Sequence, residues 1–473
     1  MARPEVRLRF PARWLAFGWA GLWAVVSVIS VSAQGTFSTI LTNGPTAKRL
    51  NLVLLAEGYT AAQQATFRAD ATNVVNNLLN VPPYRSYRRY FNAFAIFVPS
   101  NQTGSDHPSQ SYYRDTYFNS TYESYGVSDL VTIPPNDRDS DYSHGQGRVD
   151  ALLQAQMPQY DLAILVVNDL SYGGSGGQII VTSKSSASSK IVVHESGHTL
   201  AKLGDEYSDS FPAFSGPEEP NTTQERRRDF IKWKAWIAPA TPLPTPATSA
   251  YASAVGLFEG AHYQATNWYR PKLDCMMRTV GVPFCEVCSE ALVKSIYQHV
   301  RPVESYSPGV TNLAITNRQT LTFGLTPLQP NDHPLTVRWL TNGVTVGGAT
   351  GASLNLYPLA LSNGIHQVRA MVQDDTVLVR NDPSGLLGQT VNWVVQVNLA
   401  PAWAKLAPPL RLRDGRFQVS LTGQAPGGFL LQGSTNLATW TTLASNVLSS
   451  GTFEFIDPAT NYRGRSYRAV LPP

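Results

Sequence analysis

The sequence is short of charge, of cysteine and of long apolar runs, and each shortage rules something out. Charged residues are only 15% of the chain and the formal net charge is +4, so no domain-sized basic stripe is available to hold a nucleic-acid backbone. The one basic cluster, Arg226-Arg227-Arg228, reads as a solvated helix face, and no nucleic-acid partner is expected. Past the N-terminus no segment is apolar enough to cross a bilayer. Only three cysteines occur, Cys275, Cys285 and Cys288, all within 14 residues. Two of them can close a loop of roughly ten residues, and a disulfide from Cys275 to Cys285 or Cys288 is the expectation. A structural zinc site is the rival, but three thiols need a fourth ligand and none is evident.

What is present begins with an unusual N-terminus. Arg3, Arg7, Arg9 and Arg13 precede the apolar run "LAFGWAGLWAVVSVIS", which ends in "VSAQG". A cationic head, an apolar middle and small residues before a cut describe a signal peptide over residues 1–33, cleaved after Ala33. A secreted or cell-surface bacterial protein is expected, in contact with a membrane only if that segment is retained. The remaining length is too great for one ordinary core, which suggests roughly two to four domains.

Strand and helix signals alternate through the first half. "NLVLLAEGY" (51–59) reads as a buried strand and residues 60–80 as a helix, with Thr60 as its cap and Phe67, Val74, Val75, Leu78 and Leu79 on one face. "FNAFAIFVPS" (91–100) is a second strand, "GRVDALLQAQ" (147–156) a second helix, and "YDLAILVVND" (160–169) a central strand apolar on both faces. This order predicts an α/β layer with a mostly parallel sheet. "YGGSGGQIIVTS" (172–183) lacks the lysine–serine or lysine–threonine pair of a phosphate loop and reads as a turn leading into an edge strand near 178–183. Beyond residue 303 short alternating runs predict an immunoglobulin-like β-sandwich over 304–399, with Trp339 in its core and without a bridging cysteine pair. "APAWAKLAPPL" (400–410) reads as a proline-rich linker, and 411–473 as a smaller β module.

The stretch with the most chemistry is "VVHESGHTLAKLGDEY" (192–207). His194 and His198 stand at i and i+4, so on a helix they project from one face and can chelate one ion. Glu195 sits beside that face, placed to take a proton from an activated water. Zinc with an open coordination position is the implied cofactor. A third ligand is needed, and on a continuing helix Asp205 would lie roughly 10 Å beyond His198. The helix must therefore stop, with Gly204 as the residue suited to a left-handed terminating turn. Asp205 is then the first candidate for third ligand, and Glu206 the second.

"HESGHTLAKLGDEY" resembles the signature of the immunoglobulin-A metallopeptidase family, zinc endopeptidases of metzincin-like character. The resemblance continues in "LAEGYT" (55–60), "YFNAFAIFVPSNQTGSDHP" (90–108), "PEEPNTTQERRRDFIKWKAWI" (217–237) and "YRPKLDCMMRTVGVPFCEVC" (269–288). It implies a catalytic domain over 34–303, with His194, His198 and Asp205 as zinc ligands and Glu195 as general base. It further implies that "CMMR" is a methionine turn, carried by Met277. Ordinary metzincins place their glycine and third ligand differently. Here 201 is alanine, 204 is glycine and the acids follow at 205 and 206. Under this reading an extended peptide adds to the edge strand near 178–183, and Tyr269 and Tyr207 are candidate oxyanion donors. The last module resembles a short β domain recurring on secreted bacterial proteins, with a surface or carbohydrate ligand and a mere spacer role as the alternatives. The expected function is secreted, zinc-dependent endopeptidase action on protein or peptide substrates. The alternative is a cell-surface adhesion or glycan-binding protein whose peptidase-like domain is inactive.

Overall fold

Unbroken apolar runs become the centre of the first sheet. In Leu50–Glu57 (β2) every residue is buried. Leu50, Leu52, Leu54 and Ala56 pack into one core, while Val53 and Leu55 pack into a second on the opposite face. A strand covered on both sides cannot alternate with polar residues, which is why the run reads as continuous. Burying each such leucine stabilises the fold by about 1.5–3 kcal/mol. The computed structural model describes residues 35–209, 216–316, 320–357, 361–399, 403–459, 462 and 464–470, so the segment expected to direct export (1–33) lies outside the described residues.

Thr60 and Gln63 form a capping box, and after one 3-10 turn the chain enters α1, Gln64–Leu79. Phe67, Ala71, Val74, Val75, Leu78 and Leu79 make its buried stripe, at the spacing a helix needs to present one apolar face. Phe91–Phe97 (β3), Gln146–Gln156 (α2) and Leu162–Val167 (β4) follow. With Thr36–Leu41 (β1), Gly174–Ser175 (β5) and Ile180–Ser183 (β6) they complete a six-stranded sheet in the order β1-β3-β2-β4-β6-β5. The inner four strands are parallel, and β1 and β5 pair antiparallel at the edges. One expectation changes here. The strand near 178–183 is internal, because the chain doubles back beforehand and lays the two-residue β5 outside it.

Ser189–Ala201 (α3) and Glu286–His299 (α4) bury their apolar faces in the same core as α1. Between them the hairpin Phe258–Ala261 (β7) and Gln264–Arg270 (β8) stands as its own small sheet. The arginines at 226–228 are not on an α-helix. They lead into a short 3-10 turn, where Arg227 is solvated and paired with Glu225.

From Val303 the chain is all β. A five-stranded sheet and a three-stranded sheet face each other across a core holding Phe323, Trp339 and Trp393, with Trp339 fully buried as expected. This sandwich is fastened to the first unit through buried Asp374, which accepts hydrogen bonds from the Tyr87 and Tyr297 hydroxyls at 2.8 and 2.6 Å. A last five-stranded sheet is dominated by a long hairpin, Phe417–Ser434 with Thr441–Asp457. The linker expected over 400–410 is in its described part no linker. Trp403–Leu406 and Leu410–Arg411 are strands of that last sheet, since Pro408 and Pro409 fall between the paired residues and leave the ladder intact. Among the described residues no helix is long and apolar enough to cross a membrane.

Candidate metal centre

Helix α3 sets His194 and His198 one turn apart, with their Nε2 atoms 3.1 Å from each other. The remaining ring nitrogens face backbone carbonyls: His194 Nδ1 lies 2.9 Å from Met276 O, and His198 Nδ1 lies 2.6 Å from Leu203 O. A carbonyl only accepts, so Nδ1 carries the proton in each ring and Nε2 keeps its lone pair. Asp205 Oδ1 stands 3.1 Å from one Nε2 and 3.3 Å from the other, buried and without a hydrogen-bond donor. Three acceptors thus aim at one point, which is unfavourable unless a cation or a proton sits there. Nitrogen and oxygen ligands at about 2.0–2.1 Å around a tetrahedral zinc lie about 3.3–3.4 Å apart, close to the spacings found.

The bend that delivers Asp205 differs from expectation in its mechanism. Helix α3 ends at Ala201, and the residue in the left-handed region is Lys202, at φ 54° and ψ 34°. Gly204 is not left-handed. It is glycine because the chain passes tightly over Glu219: an added Cβ would lie 2.5 Å from Glu219 Cδ, while the Gly204 amide donates to Asn221 Oδ1 at 2.7 Å.

Asp205 is held from its far side. Its Oδ2 accepts a hydrogen bond from the Tyr263 hydroxyl, leaving Oδ1 toward the histidines. Tyr263 sits with His262 on the turn of the β7–β8 hairpin, where both residues have positive φ, 57° and 55°. The amides of that turn donate to the carbonyls of Asp205 and Tyr207 at 2.9 and 3.0 Å. Two non-glycine residues in this conformation cost on the order of 1–3 kcal/mol each, and such strain collects at functional sites. Sequence reasoning missed Tyr263. A glycine or asparagine marks most turns of this kind, and here "HY" takes their place.

Glu195 lines the same cleft, and burial pushes its carboxyl above the ordinary range against the opposing pull of His194 and His198. The glycine-rich turn explains itself at this point. A Cβ on Gly176 would lie 1.9 Å from Glu195 Oε2, so glycine leaves room for the carboxylate. The field at the centre favours positive charge. Burial disfavours a charged His198, but with no cation between the two, contacts with Asp205 outweigh it and raise His198 to about 9, so a proton takes the place on Nε2 that a metal ion would fill.

The remaining candidates divide. Met277 is fully buried beneath the helix, close enough that a Cβ on Gly197 would lie 2.9 Å from its sulfur. It packs and does no chemistry. Tyr207 borders the cleft with its ring stacked toward His194, centroids 6.0 Å apart. Tyr269 is not in the cleft. It is buried in the core on β8, with its backbone paired to Thr223, because its strand turns it away from His194 and His198. Glu206, the second candidate for third ligand, also points away. Its Oε1 accepts from Asn221 Nδ2 at 2.9 Å and lies 3.6 Å from Cys288 Sγ. The expected disulfide is not formed: all three cysteines are free, and Cys275 Sγ and Cys288 Sγ are 3.7 Å apart, well beyond the ~2.05 Å of a sulfur–sulfur bond.

The cleft holds about 660 Å³ and opens to solvent between the Gly174–Gly177 turn on one side and Tyr207 and Tyr263 on the other. It is large enough for several residues of an extended chain.

No curated protein matches this chain. Among solved structures, the fibronectin(III)-like modules of Clostridium thermocellum CbhA are 15% identical, over 20% of this chain and 98% of theirs, with a TM-score of 0.16. Bacteroides uniformis beta-glucuronidase 3 is 9% identical over 44% of this chain and 29% of its own, with a TM-score of 0.15. Dimeric latent PorU from Porphyromonas gingivalis is 12% identical over 36% of this chain and 16% of its own, with a TM-score of 0.14. The chain spans less than a third of the last two proteins, and likenesses this weak carry no argument. The family comparison is of another order. The family model described as IgA Peptidase M64 matches residues 39–250 and 247–296, more than half of the chain and the whole stretch that builds the cleft. The chain belongs to the IgA peptidase M64 family, whose members are metallopeptidases.

Proposed function

We propose that the protein is an exported zinc endopeptidase that cuts internal bonds of protein or peptide chains, with a metzincin-like catalytic unit followed by two accessory β modules. One observation carries the reading: two imidazole nitrogens and one carboxylate oxygen, each braced from behind, converge within 3.1–3.3 Å of one another at the floor of an open cleft. Two histidines and a carboxylate with a free side suit zinc, and a three-residue ligand set leaves the vacant position that catalysis requires. When bound, zinc supplies Lewis acidity, activating a water and polarising the scissile carbonyl.

The chain's own residues do the rest. Glu195, beside the ligands yet not among them, accepts the proton of the attacking water and passes it to the leaving amine. Its burial suits the task, because a carboxyl raised above its ordinary range holds a proton more readily once it has taken one. Gly176 and Gly177, exposed beside the two-residue edge strand, offer backbone to an extended substrate. Tyr207 lines the cleft, and its hydroxyl, kept protonated because burial raises it, is our candidate donor to a developing oxyanion.

The test is hydrolysis of an unstructured protein or peptide library by the mature chain. Cutting is expected to stop on chelation and return with zinc. Glu195→Gln is expected to keep the metal and the fold while losing about 10²–10⁴-fold in rate. Full activity in that variant, or hydrolysis indifferent to chelation, would overturn the proposal.

A further inference from the structure

A second cluster of metal-ligating atoms lies behind the first and is not part of the cleft. Cys275, Cys285, Cys288 and Glu206 are all buried, and one ligand atom from each falls within 4.8 Å of every other. We propose that these four residues bind a second metal ion, a structural zinc closed off from solvent, which fixes the segment carrying Asp205 against the methionine turn.

The distances favour a metal over a disulfide. Thiolates at about 2.3 Å from a tetrahedral zinc are separated by about 3.8 Å, and a thiolate and a carboxylate oxygen by about 3.5 Å. Cys275 Sγ and Cys288 Sγ are 3.7 Å apart, and Cys288 Sγ and Glu206 Oε1 are 3.6 Å apart. The chain order is favourable too. Cys285 and Cys288 make a C-x₂-C pair at the start of α4, with Cys285 at the N-cap, where a helix terminus stabilises negative charge. Cys275 Sγ accepts a hydrogen bond from the Cys285 amide at 3.1 Å, the kind of outer contact that orients a metal ligand.

Glu206 supplies the independent sign. It is fully buried, and its Oε2 has no hydrogen-bond partner. A carboxylate oxygen left bare in a protein interior forfeits its hydration with nothing in return. A cation among the four residues removes that cost. Glu206 is also the fourth ligand that the cysteines lack in the sequence, brought in from 82 residues before Cys288.

The ion would act on the catalytic site through the backbone. The Glu206 amide donates to Met277 O at 2.8 Å, and Arg278 Nη1 donates to Glu206 O at 2.7 Å. Met276 O, one residue earlier on that turn, receives His194 Nδ1. Fixing Glu206 to Cys275 therefore fixes Asp205 and the partner of His194 together. These four are positioning residues and touch no substrate.

The full-length mature chain is to be purified without chelator and its metal counted by elemental analysis. Two zinc ions per chain are expected. His194→Ala with His198→Ala should retain one, and Cys285→Ser with Cys288→Ser should also retain one. This separates the inference from the proposed catalytic centre, because failure of that centre alone leaves the cysteine-bound ion in the histidine variant. If the cysteine variant does not fold, the histidine variant carries the test: loaded with cobalt, it should show thiolate-to-cobalt charge transfer, which a histidine–aspartate site cannot produce. A wild-type chain without zinc, or a histidine variant lacking the thiolate–cobalt band, overturns the inference. An intact mass short by two hydrogens would identify a disulfide as what replaces it.

Discussion

Asp205 and Glu206 are neighbours in sequence and face opposite ways, and the difference between their surroundings separates chemistry from support. Asp205 joins two histidines beside an open cleft, with Glu195 at hand and one direction left clear. Glu206 joins three cysteines in a buried interior closed to substrate. An ion with an empty position can activate a substrate, whereas an ion with four protein ligands can only hold the chain together. Two adjacent carboxylates serve both ends because their side chains leave the backbone in different directions, one to the histidines and one to Asn221 and Cys288.

The largest effects come from exchanging these two acids for alanine. On the proposed function, Asp205→Ala removes a direct ligand. Losing even an outer partner of a ligand costs about 10–100-fold in metal affinity, so the loss here should exceed about a hundredfold and hydrolysis should fall with it. Glu206→Ala should leave the histidine centre able to bind zinc and should mainly lower stability. Losing an ion present at a hundred times its dissociation constant removes about 2.7 kcal/mol. For a unit of 150–250 residues that is a fall of about 5–11 °C in melting temperature. Zinc titration and thermal melts on both variants check the pair. The opposite pattern would interchange the two assignments.

How much of this was legible beforehand follows from the range of each interaction. His194, Glu195 and His198 lie on one helical turn, so their spacing alone declares their geometry. The strands and helices of the first half were equally plain, because Leu50–Glu57 and the Phe67–Leu79 stripe carry their burial pattern in their own residues. The third ligand depended on where the chain bends, and the bend uses Lys202 in a left-handed conformation that glycine usually marks. Gly204 misled for that reason: it answers to the approach of Glu219 rather than to its own torsion. Tyr263 and the pairing of Glu206 with the cysteines join segments far apart in the chain. No local pattern encodes such meetings. The Trp403–Leu406 strand was hidden by nearby prolines, of which Pro408 and Pro409 signal a break to a reader of composition but lie outside the paired residues.

A smaller effect is expected at Gly176. Alanine there would place a methyl 1.9 Å from Glu195 Oε2 and push the carboxylate aside, leaving both ligand clusters as they are. Misplacing a reacting group by about 1 Å can cost about 10²-fold. The loss should appear in kcat, with zinc content and melting temperature unchanged. A drop in metal content instead would mean that the turn supports the ligands and not the base.

Tyr263→Phe should have the smallest effect and the most specific one. The substitution keeps the ring, the hairpin turn and its amide contacts with Asp205 and Tyr207, and removes only the hydroxyl that donates to Asp205 Oδ2. Asp205 then gains freedom to turn either oxygen toward the histidines, so zinc affinity should weaken toward the lower end of the 10–100-fold range seen for outer partners, about tenfold. The cysteine-bound ion should be untouched, because Glu206 is tied to Asn221 and the Met277 carbonyl by bonds that do not involve Tyr263. Competition with a chelator of known affinity, read separately for the two ions, measures this. Equal weakening at both would mean that the acids move as one unit, and the division between an open and a closed site would then rest on the ligands alone.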